Sequence, residues 1–159
     1  SFAQAKHFAQ EGLATAEELK HSDLTSYNLA ALGAATCGLG ELAAGRRYLF
    51  RSLQITYQLH IPDTAALMLY FLAQLLIQEG KLAAPSTAHH EEKQLQALEL
   101  LAFIIQHPAT WQVARDRAQR VQADLMARLP VEAATSALKR GQQQTFDEIV
   151  QPLLLENQG

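Results

Sequence analysis

Little in this 159-residue chain provides covalent or sheet-based stabilisation. Its single cysteine, Cys37, excludes an internal disulfide and fits a reducing compartment. Valine and isoleucine together number only ten, too few for a sheet built on β-branched side chains. No apolar run reaches the roughly 18 residues that span a bilayer. The opening SFAQAKHFAQ is polar and helical, unlike a signal peptide. A net charge of −3 leaves no global nucleic-acid footprint. These absences predict a soluble, cytoplasmic protein with no membrane segment.

What is present is alanine and leucine, together a third of the chain. Both are strong helix formers, and the length suits one domain with a sizeable core. The expected class is all-α. The sequence also aligns with itself when Phe2 is laid on Leu42. In that register Lys6 falls on Arg46, Leu13 on Leu53, Asp23 on Asp63, Leu29 on Leu69 and Gly40 on Gly80. Each unit reads as two helices. The first starts at an N-cap aspartate, Asp23 or Asp63, and stops at Gly40 or Gly80 in the left-handed conformation. The second starts at Glu41 and ends before Pro62. Helices are expected near 2–20, 24–39, 42–60, 64–79, 92–106, 110–129, 131–140 and 146–155. The stretch AAPSTAHHEEK, 83–93, reads as an inserted loop, and Gly141 as a breaker between the last two helices.

The segment LGAATCGLGELAAGRRYLFRSL tests a nucleotide site first. GAATCG has the G-x-x-x-x-G spacing of a phosphate loop, but Leu39 and Gly40 follow where Lys and Ser or Thr are needed. Its small residues instead suit close helix packing. With LG, G-x-L, Leu49, Ser52 and Leu53 in register, the stretch resembles a tetratricopeptide repeat. Thr36 and Gly45 replace that family's usual Tyr and Ala, and the period is about 40 rather than about 34. The resemblance implies a right-handed superhelix of antiparallel helix hairpins. About two and a half units would fill 1–106, and degenerate capping helices 107–159. The chain then begins on a half-repeat, as expected of a piece of a longer protein.

A second resemblance lies in ALELL, HPAT, the Arg-rich helix, LP, RG and FDEIV, residues 97 to 150. It is similar to the C-terminal end of helical arrays in large bacterial transcriptional regulators and signal-transduction ATPases. That implies sensing or scaffolding, without the ATPase and DNA-binding motifs of those families, which these residues do not contain.

Chemistry-bearing clusters are sparse. His89, His90, Glu91 and Glu92 are adjacent in the inserted loop and lack the spacing of a metal site. His107, before Pro108, is expected to bond helix-terminal carbonyls. Glu17–Glu18 and Glu91–Glu92 would diverge on a helix rather than form an acid–base pair. No hydrolase elbow, zinc-hydrolase motif or dinucleotide fingerprint occurs. The expectation is a non-enzyme with no metal and no cofactor.

Residues 107–141 hold six Arg or Lys against three Asp or Glu. Arg115, Arg117, Arg120 and Arg128 could therefore meet phosphates, although Asp116 and Asp124 interrupt them and nucleic acid is the weaker reading. The stronger one follows from the repeat resemblance, in which the first helix of each unit lines a concave groove. It implies Tyr27, Ala30, Ala34, Cys37 and Gly38 in one unit and Leu67, Tyr70, Gln74, Ile77 and Gln78 in the next. This apolar, aromatic surface lacks the Lys, Arg and Asn that grip peptide carboxylates. It suits a partner helix, or another domain of the parent chain. A small-molecule effector pocket around Tyr27, Tyr70 and Gln74 is the alternative.

Overall fold

The computed structural model describes residues 1–82 and 87–157. Among these, the chain is all-helical: α1 (Phe2–Glu18), α2 (Ser22–Gly38), α3 (Leu42–Gln58), α4 (Pro62–Leu82), α5 (Thr87–Gln106), α6 (Gln112–Arg128), α7 (Val131–Gln143) and α8 (Phe146–Glu156). No described helix is long and apolar enough to cross a membrane. Two compact units divide the chain, Ser1–Phe71 and Leu72–Gly159, with the boundary inside α4.

In the first unit the local structure recurs at a fixed spacing. α1, α2 and α3 each contain 17 residues. The first helical hydrogen bonds run from Ala5 to Ser1, Thr25 to His21, Gly45 to Glu41 and Ala65 to Ile61. The three C-termini are equally regular. Leu19, Leu39 and Leu59 are the C-caps. Lys20, Gly40 and His60 follow in the left-handed region, at φ 52°, 85° and 55°. The next amides, of His21, Glu41 and Ile61, return to the carbonyls of Ala16, Thr36 and Thr56 at 3.0–3.1 Å. Each end is thus a Schellman closure that satisfies carbonyls the helix leaves open.

Helices α2 and α3 meet at backbone contact. A Cβ on Gly33 would lie 2.7 Å from Leu49 Cγ, and one on Gly45 would lie 3.0 Å from the Gly33 carbonyl oxygen. Leu29, Leu32, Leu49 and Leu53 fill the space around this contact and are at most 1% exposed. Buried hydroxyls are satisfied within the same layer. Ser52 donates to the Ser26 carbonyl at 2.6 Å, beside Met68 Sδ, and Thr56 turns back on the carbonyls of Ser52 and Leu53.

The second unit is built on α5, whose Ala97, Leu98, Leu100, Leu101, Ala102, Phe103 and Ile104 are all buried. This apolar C-terminal half makes α5 the core element of the unit, and α6 and α7 both pack on it. α7 approaches through Gly141, where a Cβ would lie 2.9 Å from Ala102 Cβ. Arg140 Nε pairs with Glu99 Oε2 at 3.2 Å, and Gln106 donates to the Gln142 carbonyl.

Several expectations about helix ends are corrected. His21, not Asp23, caps α2: its Nδ1 accepts the Leu24 amide at 3.3 Å, and Asp23 lies in the first turn. Asp63 is likewise inside α4, its Oδ1 accepting from the Thr64 amide at 2.8 Å. Gly80 does not end α4, which continues to Leu82. It is a contact point instead, 3.2 Å from Lys93 Cβ for a hypothetical Cβ. The expected loop at 83–93 is helical from Thr87 onward, and its opening stretch, 83–86, lies outside the described residues. Gly141 is interior to α7 rather than a breaker.

The left-handed ends and the glycine contact predict opposite responses. Gly33→Ala and Gly45→Ala should each lower the unfolding free energy by about 1–3 kcal/mol, because buried Leu49 and Cys37 and the opposing backbone block the added methyl. His60→Gly should raise it by about 0.5–1 kcal/mol, since glycine adopts positive φ without the Cβ clash. Urea midpoints measure both, and an unchanged or lowered midpoint for His60→Gly would contradict the strain assignment.

Candidate functional site

The residues expected to line a groove fall into different environments. On α2, Ala30 and Cys37 are buried at 2% and 8% exposure, inside the first unit's core. Cys37 Sγ occupies the space a Cβ on Gly45 would need. Tyr27 is 53% exposed, while Ala34 and Gly38 are half-buried. On α4, Tyr70 and Ile77 are buried, and Leu67, Gln74 and Gln78 are half-buried. Leu67 and Tyr70 belong to the first unit, and Gln74, Ile77 and Gln78 to the second.

Exposure therefore selects a narrower surface on α2. Leu24 is 46% exposed and Ala31 is also exposed. With Tyr27, Ala34 and Gly38 they form the series 24, 27, 31, 34, 38. Steps of three and four put all five positions on one face of a helix. The Phe2 ring closes one end, 2.5 Å from where a Gly38 Cβ would stand. Leu24 and Ala31 escape a reading based on the repeat register, which runs one column over. The a/d spacing through 24 and 31 is the signal that marks them.

The four arginines separate as well. Arg115 is half-buried, and its Nη2 donates to the carbonyls of His107 and Thr110 at 3.1 and 3.3 Å, tying α6 to the turn that follows α5. Arg128 faces Asp124 within one turn, at 3.5 Å. Only Arg117 and Arg120 point outward without a partner among the described residues. Asp116 is hydrogen-bonded by Gln112. Arg117 and Arg120 are three residues apart and so share one face of α6.

The histidine–glutamate cluster is on α5, where His89 and Glu92 are 3.9 Å apart across one turn. Among the described residues no three His, Cys, Asp or Glu side chains converge as a metal site would require. Among the described residues, hollows open to solvent include two of note. One, about 310 Å³, is lined by Glu17, Lys20, Ser22, Thr25, Ile55, Gln58 and Leu59, with Glu17 held by Arg51 at 2.8 Å. The other, about 430 Å³, lies along α5 between Ala88 and Glu99, beside Arg140. Neither places a nucleophile against a base.

His107 differs from its expected role. Its ring accepts rather than donates at Nδ1, which takes the Ala109 amide at 3.3 Å. The ring sits 5.1 Å from Phe103 and 6.0 Å from Phe146, and burial pushes its pKa below the ordinary histidine value.

No protein-family model matches the chain, and no curated protein or solved structure is significantly similar to it.

The division among the arginines is measurable. Arg115→Ala should lower the unfolding free energy by about 1–3 kcal/mol, because the Thr110 carbonyl loses the guanidinium and the His107 carbonyl keeps only the Thr110 amide. Arg117→Ala and Arg120→Ala should change it by less than about 0.5 kcal/mol. Thermal melts of the three variants distinguish a structural cation from surface ones.

Proposed function

We propose that this chain is a non-catalytic protein-interaction segment of a cytoplasmic bacterial regulatory protein, and that it binds its partner along α2. The observation that carries this reading is the series Leu24, Tyr27, Ala31, Ala34 and Gly38, exposed or half-buried on one face of a helix whose opposite face is fixed in the core. A preformed surface of this kind binds with little ordering cost. Small residues flanking one aromatic anchor suit a partner helix, which needs close approach and one pocket-filling ring.

The matched helix ends, with C-caps at Leu19, Leu39 and Leu59, support reading the first unit as tetratricopeptide-like hairpins with α2 as the groove-lining helix. The shorter helices α7 and α8 suit the capping end of such an array. The regulatory context rests on the resemblance of residues 97–150 to the C-terminal arrays of bacterial regulators and signal-transduction ATPases.

Site-specific photocrosslinking tests the surface. A benzophenone side chain at position 27 should give discrete protein adducts in cells, and one at the exposed control position Gln119 should not. Tyr27→Ala should then weaken the purified partner's binding by about tenfold or more, as for a buried aromatic anchor. Equal adducts at both positions, or none at 27, would remove the α2 surface from consideration.

A further inference from the structure

The turn between α5 and α6 joins several elements of the second unit through one imidazole. His107 forms a triangle of tilted rings with Phe103 on its own helix and Phe146 at the start of α8, with centroids 5.1, 6.0 and 6.2 Å apart. The Nδ1 of His107 accepts the Ala109 amide, so the neutral ring carries its hydrogen on Nε2. The residue's own carbonyl is held by Arg115. α8 follows with Thr145 and Glu148 in a reciprocal capping box, and it buries Ile149 and Val150 at 5% and 0% exposure.

We infer that His107 is a protonation latch for α8: the neutral ring holds the helix down, and the imidazolium releases it. The proton arrives at Nδ1, the same atom that accepts the Ala109 amide. An acceptor thereby becomes a donor facing another donor, and the Ala109 N–H is left unpaired. The new charge is half-buried, on a residue whose carbonyl already draws in the Arg115 guanidinium. The neighbouring Phe103 and Phe146 rings, tilted against the imidazole, offer the charge no hydrogen-bond acceptor.

The surrounding elements carry charges that are largely committed. On α6 these are Arg115 and Asp116, the latter bound by Gln112. On α7 they are Lys139 and Arg140, the latter paired with Glu99 of α5. In the first turn of α8 they are Asp147 and Glu148, and Glu148 accepts the Thr145 amide at 2.8 Å. The lowered pKa of His107 has burial as its cause. The sign follows. The unfolded chain binds this proton more readily than the folded one, so stability falls as pH drops below about 6.5 and levels off under the folded value. Above about pH 7 the latch is closed.

Hydrogen–deuterium exchange of the full chain, corrected for intrinsic rates, tests the latch. Between about pH 7.5 and about pH 5, protection of the α8 amides should fall about fivefold or more, while α1–α3 change far less. His107→Gln keeps an acceptor for Ala109 but cannot titrate, and it should abolish the pH dependence. An equal fall in His107→Gln, or no selective loss in α8, would overturn the proposal. If that variant fails to fold, NMR titration of the unaltered protein decides. The α8 amide shifts must then follow the His107 ring midpoint, and any other midpoint rejects the latch.

Discussion

Two positions without side chains, Gly33 and Gly45, hold α2 and α3 at backbone contact, and the rest of the first unit is arranged around that contact. Because the axes cannot separate, Leu29, Leu32, Leu49 and Leu53 must fill fixed spaces on either side. Cys37 is pressed into the same seam. Once that face of α2 is committed, the opposite face is committed too. Leu24, Tyr27 and Ala31 are turned to solvent by the same rotation that buries Ala30 and Cys37. The candidate interaction surface is therefore a consequence of the glycine contact rather than a separate feature.

The second unit meets its packing requirement differently. α5 buries its apolar C-terminal half as a core element, with α6 and α7 packed on it. The polar connections then lie at helix ends. Arg115 closes the turn after α5, Arg140 fixes α7 to Glu99, and the His107 ring bridges to α8. Side chains at such junctions have few alternatives for their donors and acceptors. A change in one proton at His107 therefore acts on more than its own residue.

The described helices were legible from alanine, leucine and their spacing, and the all-α class with them. The ends were less so, for identifiable reasons. Aspartate is a strong N-cap by propensity, yet α2 begins earlier because the His21 ring also accepts an amide. Glycine marks a C-terminus at Gly40, where φ is positive, but Gly80 and Gly141 remain helical. There a neighbouring helix comes so close that a side chain has little or no room. Composition does not separate these two uses of glycine. The histidine–glutamate segment reads as a loop by its polarity, although its residues carry no barrier to helix. The groove positions follow from a repeat pattern, which places residues to within a column of a helix. One column is about 100° of rotation, enough to exchange a buried face for an exposed one.

Helix identity was contained in the chain's local chemistry, because hydrogen-bonding along a helix depends on residues three and four apart. The even spacing of the helix ends was contained there too, in the leucines at 19, 39 and 59. Which alanine faces solvent and which faces a neighbouring helix was not. Nor was which arginine is free, or that a histidine beside two phenylalanine rings accepts an amide. Those assignments depend on contacts between residues far apart in sequence. They exist only once the helices have found their separations, and those separations are set by packing.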